Sequence, residues 1–127
     1  MSKSVIRSDR LPTPVASYSP AVRVGQLVFV SGQIPLDPAT GQLVSGDIEA
    51  QTRRVLDNLG AVLEAAGLSY ADVAKVTAYL ADMQDFAAFD AVYRSYFPVD
   101  PPARATVSVL GLPRGARLEV EAIAVAK

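Results

Sequence analysis

The last strand that the sequence predicts, residues 117–126, constrains the fold most strongly because it is apolar on both faces. One face carries Leu118, Val120, Ala122 and Ala124, whereas the other carries Glu119 and Glu121 followed by Ile123 and Val125. A strand of this kind is normally buried on both sides of its sheet. Helices of the same chain can cover one side. We therefore expect another subunit to cover the second side, which predicts a homo-oligomer.

Two stretches of helical periodicity lie between the shorter, strand-like runs. Apolar residues recur on one helical face from Asp47, the expected N-cap, to Gly67, the expected residue just after the C-cap. A second helix is expected from near Asp85 to Tyr96, after which a series of prolines ends it.

Apolar and β-branched runs predict the strands. Residues 21–24 and 27–31 flank Gly25-Gln26, and a glycine at the first turn position is typical of a two-residue type II′ hairpin. The other predicted strands are an optional third strand before the first helix, residues 73–80, residues 105–110 and residues 117–126. We predict one α+β domain over residues 1–127, with two helices on one face of a sheet.

The composition excludes several classes of function. None of the 127 residues is Cys or His, so a Ser-His-Asp triad and thiol chemistry are excluded. No spacing typical of a zinc or EF-hand site occurs. The net charge of −1, without a basic block, argues against nucleic acid as a partner. Neither a secretory segment in residues 1–8 nor an apolar run of membrane-spanning length is found, so we expect a cytoplasmic protein with no membrane partner.

Arg104 opens a β-branched strand, and a cation there needs an anion if it is hidden from water. An ion pair within the chain, or a side chain that reaches solvent, would explain it without a function. The small neighbours Ala103 and Ala105 favour function because they leave space beside the guanidinium. Its planar fork suits a carboxylate held by two parallel hydrogen bonds. We expect Arg104 to lie unpaired in a crevice between chains and to bind a small carboxylate.

Glu119 and Glu121 are two residues apart on the final strand and therefore share one of its faces. They belong either to a solvated strand edge or to a site in which one carboxyl, with a raised pKa, acts as a general acid or base. The spacing alone does not decide which of the two would act.

Three further positions are candidates. Tyr18 lies in the loop before the hairpin, where either packing or a hydrogen bond to a ligand would suit it. Gly32 follows Ser31 at a strand end, and it either terminates the strand or lets a ligand approach the backbone N–H groups. Asp90 lies on the second helix, between Phe89 and Ala91.

Five stretches together carry a family resemblance: Tyr18-Ser19-Pro20-Ala21, 28–35, 51–59, Pro102-Ala103-Arg104-Ala105 and 118–124. Over nearly its whole length the chain resembles the Rid family of reactive-intermediate imine/enamine deaminases, also called the YjgF family. The resemblance implies a chorismate-mutase-like α+β fold with a mixed sheet. It also implies a homotrimer whose sheets form an inner barrel, whose helices lie outside, and whose ligand clefts lie between subunits.

The resemblance implies a hydrolase that acts on C=N bonds. The active members hydrolyse reactive 2-imino acids and 2-enamino acids, such as 2-iminopropanoate and 2-iminobutanoate, to 2-keto acids and ammonia. They thereby detoxify metabolites, and they use neither a cofactor nor a metal. Imino and keto acids are accordingly the expected small-molecule partners.

The same resemblance assigns roles to individual residues. Arg104 matches the substrate-carboxylate arginine and Glu119 matches the water-handling glutamate. Tyr18 matches the cleft tyrosine, and Ser31 and Gly32 match the turn that lines the pocket.

Two substrate-site positions depart from the common pattern. Asp90 stands where many members have Asn, and Thr106 stands where many have Cys. An acid near an anionic substrate is unfavourable unless it is turned away or paired. These differences leave the substrate preference open.

Two other functions remain under this resemblance. The chain could be a non-catalytic, small-carboxylate-binding regulatory member of the same trimeric superfamily, which Asp90 favours and the retained Arg104 and Glu119 oppose. An RNA-cleaving role, attached to some relatives by name, is opposed by the pI of 5.3 and by the lack of aromatic residues interleaved with Lys and Arg.

Overall fold

The computed structural model describes residues 2–127, so Met1 of the N-terminal segment discussed above lies outside it. Its elements are β1 (Ser4–Ile6), β2 (Ala21–Val24), β3 (Leu27–Gln33), α1 (Ile48–Ala65), β4 (Val73–Leu80), α2 (Phe86–Tyr96), β5 (Ala103–Ser108) and β6 (Leu118–Val125). Short 3₁₀ turns precede β4, α2 and β6. None of the helices in residues 2–127 combines the length and the apolar character needed to cross a membrane.

The strands form one open, mixed sheet in the order β1-β2-β3-β6-β4-β5. Only β4 and β5 are parallel, because the crossover helix α2 connects them. The predicted α+β architecture with two helices is confirmed. The sequence did not predict β1, which has three residues and pairs only with β2, too few to show a periodicity. Strand β5 begins two residues earlier than predicted, directly after Pro102, and pairs along β4 from Lys75.

Both ends of α1 and the first hairpin form as predicted. Asp47 Oδ1 accepts a hydrogen bond from the Ala50 amide at 2.9 Å. At the other end Gly67 has a φ of +77°, and the Leu68 amide donates to the Leu63 carbonyl at 2.8 Å, as in a Schellman motif. In the hairpin Gly25 alone has a positive φ, +61°, which agrees with a type II′ turn.

The two faces of the sheet differ in what covers them. Helix α1 packs on β3 and β6, and the apolar residues of β4 and β6 beneath the helices are almost fully buried. The opposite face, called the open face below, leaves four apolar side chains exposed by 38–43%: Leu27, Phe29, Val107 and Val125. The final strand is thus apolar on both faces, as predicted. Its coverage by a second subunit stays a prediction.

Candidate functional site

Arg104 and Glu119 lie on opposite faces of the sheet. Arg104 pairs in register with Val76 of β4, which is buried beneath the helices. Glu119 pairs with Tyr79, three residues further along the same strand. Because side chains alternate between faces along a strand, an offset of three residues reverses the face. One chain therefore does not bring these two residues together.

Arg104 lies against an aromatic wall supplied by α2. Its guanidinium carbon is 4.5 Å from the centre of the Tyr93 ring and 5.5 Å from the centres of the Phe86 and Phe89 rings. The crossover between β4 and β5 places α2 above Arg104, and the three rings fall on its sheet-facing side. A cation held in this way gains roughly 0.5–2 kcal/mol from an aromatic face and keeps one orientation.

Asp90 also contacts Arg104, so the expectation of an unpaired guanidinium is wrong. Asp90 Oδ1 accepts from Arg104 Nη1 at 2.8 Å, and Asp90 Oδ2 accepts from Arg94 Nη2 at 3.2 Å. Asp90 lies on α2 one helical turn before Arg94, and Arg104 lies on β5. Each oxygen of the Asp90 carboxylate is thus paired with one arginine, which explains how an acid is tolerated at this position.

The space beside Arg104 does not come from its sequence neighbours. Ala103 and Ala105 alternate to the open face, so the reason given for that space was wrong. Instead, a shallow groove beside the guanidinium is lined by α2 and by the segment before β5; we call it the Arg104 groove, and it comprises Asp90, Tyr93, Arg94, Phe97, Pro101, Pro102 and Arg104.

Donors of Arg104 remain available in this groove. Of its guanidinium nitrogens, only Nη1 donates a hydrogen bond to another group within residues 2–127. An arginine carries five N–H donors in a fixed fork, and Asp90 accepts from one of them. Two neighbouring hydroxyls, those of Tyr93 and Thr106, are shielded from solvent and have no partner among the described residues. Burial raises the pKa of Tyr93, so this hydroxyl stays protonated and can donate.

Glu119 occupies a second groove, on the open face. This Glu119 groove is lined by Val15, Ala16, Tyr18, Ser31, Gly32, Ile34, Pro113, Glu119 and Glu121. Gly32 faces the carboxylate so closely that any side chain at this position would overlap Glu119 Oε2. The glycine therefore makes room for the Glu119 carboxylate. Contact of a ligand with the Gly32 backbone, one of the two alternatives left open by the sequence, stays a prediction.

The surroundings of Glu119 disfavour its charge. Burial and the like charge of Glu121 raise the pKa of the Glu119 carboxyl above its ordinary value. Glu121 differs because its Oε1 accepts a hydrogen bond from the Tyr79 hydroxyl at 3.1 Å. Within residues 2–127 Glu119 forms no ion pair. Of the two acids left open by the sequence, Glu119 is thus the one whose environment suits an acid/base role.

Ser31 fixes the loop that carries Tyr18. Its amide donates to the Pro20 carbonyl at 3.0 Å, and its hydroxyl donates to the Ser19 carbonyl at 2.6 Å. These bonds hold Tyr18 at the groove, where its side chain remains 45% exposed. The structure therefore brings Tyr18, Ser31 and Gly32 to Glu119, and it brings Asp90 to Arg104. Thr106 lies two residues beyond Arg104 on the same face but does not line the groove.

The sequence did not reveal two of these contacts. Tyr93 was assigned only to the apolar stripe of its helix, and Tyr79 only to a strand. A tyrosine in an apolar stripe carries a hydroxyl that needs a partner, which is the signal that could have drawn attention to both. Within residues 2–127, no three acidic, His or Cys side chains lie close enough together to hold a metal ion.

Comparisons with known proteins identify the relatives of this chain. The family model described as Endoribonuclease L-PSP matches residues 8–126. A RutC family protein of Pyrococcus abyssi is 51% identical over 124 residues, 98% of each chain. The mouse 2-iminobutanoate/2-iminopropanoate deaminase is 45% identical over 97% of this chain and 91% of its own.

A solved structure agrees with these relationships. The crystal structure of Escherichia coli TdcF with bound serine superposes with a TM-score of 0.92 at 39% identity, over 98% of this chain and 99% of that one. The match to the family model spans both helices and strands β2 to β6. The chain belongs to the Endoribonuclease L-PSP family, which is the YjgF/Rid family that the sequence resembles.

Proposed function

We propose that this protein is a cytoplasmic deaminase that hydrolyses 2-imino acids and 2-enamino acids to 2-keto acids and ammonia, with 2-iminopropanoate and 2-iminobutanoate as representative substrates. Relatives that carry the deaminase name match nearly the whole chain. The observation that carries the proposal is the presence, on one sheet, of a groove with a preoriented cation and a groove with a carboxyl of raised pKa.

Arg104 would bind the substrate. Its Nε and Nη2 donors suit the carboxylate that every 2-imino acid carries beside its C=N carbon. The rings of α2 and Asp90 already hold the guanidinium, so little side-chain entropy is lost on binding. Crystals of TdcF contain serine, a small molecule with the same carboxylate, which is consistent with this assignment.

Glu119 would handle the water. As the water oxygen bonds to C2 of the iminium, the Glu119 carboxylate accepts the water proton and a carbinolamine forms. The carboxyl then returns the proton to the nitrogen. As the C–N bond breaks, the hydroxyl oxygen forms the C=O bond and its proton passes to the Glu119 carboxylate, which delivers it to the departing ammonia; the products are the 2-keto acid and ammonium. A carboxyl whose pKa is raised toward neutrality suits both transfers, and such catalysis contributes typically 10²–10⁴-fold.

The complete site would form between two subunits of a homotrimer. Because Arg104 and Glu119 face opposite sides of one sheet, a single site needs Arg104 from one chain and Glu119 from its neighbour. Burial of the exposed apolar residues of the open face would stabilise such an assembly. The mass in solution would be three times the 13.4 kDa of one chain.

Replacement of Arg104 by Ala tests the proposal. We expect it to abolish 2-keto acid release when 2-iminopropanoate is generated freshly by an amino acid oxidase. Arg53→Ala is the matched control because Arg53 lies on the exposed side of α1 and pairs with Glu49. Undiminished release by Arg104→Ala would overturn the proposal.

Mixing two inactive variants tests the shared site. If each site takes Arg104 and Glu119 from different chains, co-expression of Arg104→Ala with Glu119→Gln should restore about a quarter of the wild-type sites in random trimers. No restoration in mixed trimers, verified by differently tagged chains, would contradict a site built from two chains.

One observation favours the alternative, a carboxylate-binding regulatory protein without catalysis. Asp90 accepts a hydrogen bond from one donor of Arg104. This competing anion reduces the number of donors and the positive charge that are left for the carboxylate of a reacting substrate. Tight binding of 2-keto acids without any acceleration of imine decay would establish this alternative.

A further inference from the structure

The Arg104 groove holds three charged groups whose sum is positive. Arg104 and Arg94 supply two cations, and Asp90 supplies one anion that contacts both, at 2.8 Å and 3.2 Å. All three line the groove, and its other lining residues are aromatic rings and prolines. The groove therefore presents one net positive charge to whatever binds in it.

The positions of the two arginines differ. The Arg104 side chain is 20% exposed and is fixed against rings, whereas the Arg94 side chain is 77% exposed. Solvent screens an exposed cation more than a buried one, so a ligand is attracted to Arg94 less strongly than to Arg104. Asp90, at 25% exposed, retains more of its field. Within the chain that supplies Arg104, Asp90 is thus the anion nearest to a ligand bound there.

We infer that Asp90 makes the Arg104 groove selective for monoanionic 2-keto and 2-imino acids and rejects acids with a second carboxylate in the side chain. The inference rests on the proposed function, since it assumes that Arg104 binds the ligand carboxylate. One carboxylate neutralises the groove. A second carboxylate a few carbon atoms away would leave an uncompensated negative charge close to Asp90, and an interface rejects a ligand through such like-charge contacts.

The test compares two ligands of equal carbon number. 2-Oxopentanoate ends in a methyl group and 2-oxoglutarate ends in a carboxylate, so their affinities differ mainly through the second charge. By isothermal titration of the wild-type protein at physiological salt, 2-oxopentanoate should bind at least about tenfold more tightly than 2-oxoglutarate. Equal affinity, or tighter binding of 2-oxoglutarate, would overturn the inference.

Asp90→Asn keeps the shape of the side chain and removes its charge. This variant should lose the preference or reverse it, because the groove then carries two net positive charges. A merely structural role for Asp90 would weaken both ligands equally and leave their affinity ratio unchanged, which would overturn the inference. Asp90→Ala removes the same charge and provides a second test should the amide variant misfold.

Glu64→Gln is the matched control, because it removes one negative charge from an exposed ion pair with Arg10 on the outer side of α1. It should leave the ratio at the wild-type value, and a change equal to that of Asp90→Asn would overturn the inference by showing a general charge effect. Failure of the wild type to bind either ligand would instead overturn the proposed carboxylate site itself, so the two failures are distinguishable.

Discussion

The helix-covered face and the open face of the sheet differ in how the rest of the chain contacts their key charged residue. On the helix-covered face, Arg104 is held by three rings and by Asp90. On the open face, Glu119 lies against Gly32 with a like charge, Glu121, beside it, and it has no cation as a partner within residues 2–127. One chain thus completes the environment of the cation and leaves that of the carboxyl unfinished. Contacts within one chain therefore orient Arg104, the proposed binding group. Glu119, whose pKa is raised, lies on the face where a neighbouring subunit would pack.

The largest effect should follow from a charge on the open face. Phe29→Asp places a carboxylate among the exposed apolar residues of that face, where a subunit contact would have to bury it. We expect loss of the proposed assembly and, because the proposed site takes residues from two chains, complete loss of the proposed deaminase activity. Sedimentation equilibrium and the keto acid assay measure the two losses.

Met83→Asp is the control for this change. Met83 is 43% exposed, comparable with Phe29 at 38%, but it lies in the turn before α2. It should leave both mass and activity unchanged. A fully active monomeric Phe29→Asp variant would contradict the division of the site between two faces.

The next largest effect should separate chemistry from binding. Glu119→Gln removes the acid/base group and retains the shape of the side chain, so turnover should fall by roughly 10²–10⁴-fold. The affinity for 2-oxobutanoate should change little, since the donors that bind its carboxylate belong to Arg104 and not to Glu119. Arg104→Ala should show the reverse pattern in a titration with 2-oxobutanoate, namely loss of binding. Equal loss of binding in both variants would contradict separate roles.

The sequence predicted the elements well because each has a local signature. The N-cap Asp47, the residue Gly67 after the helix and the Gly25 turn are decided by neighbouring backbone groups. Contacts across the fold were not predictable in this way. Asp90 reaches Arg104 only because the crossover helix lies above β5, and the separation of 14 residues carries no period that would reveal it.

In the candidate site, too, the identity of the residues was predictable from the sequence, whereas their relative placement was not. The family resemblance selected Arg104 and Glu119, and no pattern in the sequence indicated that they face opposite ways. That relation depends on the register of β4 with both of its neighbours, which is set by pairing between distant strands. The role of Gly32 is a similar case, since its contact with Glu119 joins β3 to β6.

A smaller effect is expected from Gly32→Ala. The added methyl group would meet Glu119 Oε2, so the carboxylate must move by about an ångström or more. A displacement of that size can lower turnover by about 10²-fold. Gly111→Ala is the matched control because a Cβ there meets nothing within 4 Å. Steady-state kinetics on both variants check the prediction, and wild-type turnover by Gly32→Ala would show that the position of this carboxylate does not matter.

The smallest effect concerns pH and the pair of acids on the open face. Glu119 would act as a base in its charged form, so kcat/KM should fall as the pH decreases through its raised pKa, with an inflection above the ordinary value of 4.5. Glu121→Gln removes the like charge and should move that inflection to lower pH. The inflection should stay above 4.5, because burial, the larger cause of the shift, persists. Burial and the charge of Glu121 raise the pKa of Tyr79, whose hydroxyl contacts the pair, so this group does not contribute to the acid limb. An inflection that Glu121→Gln leaves in place would mean that another group controls the acid limb, and the open face would then not contain the proton-transferring residue.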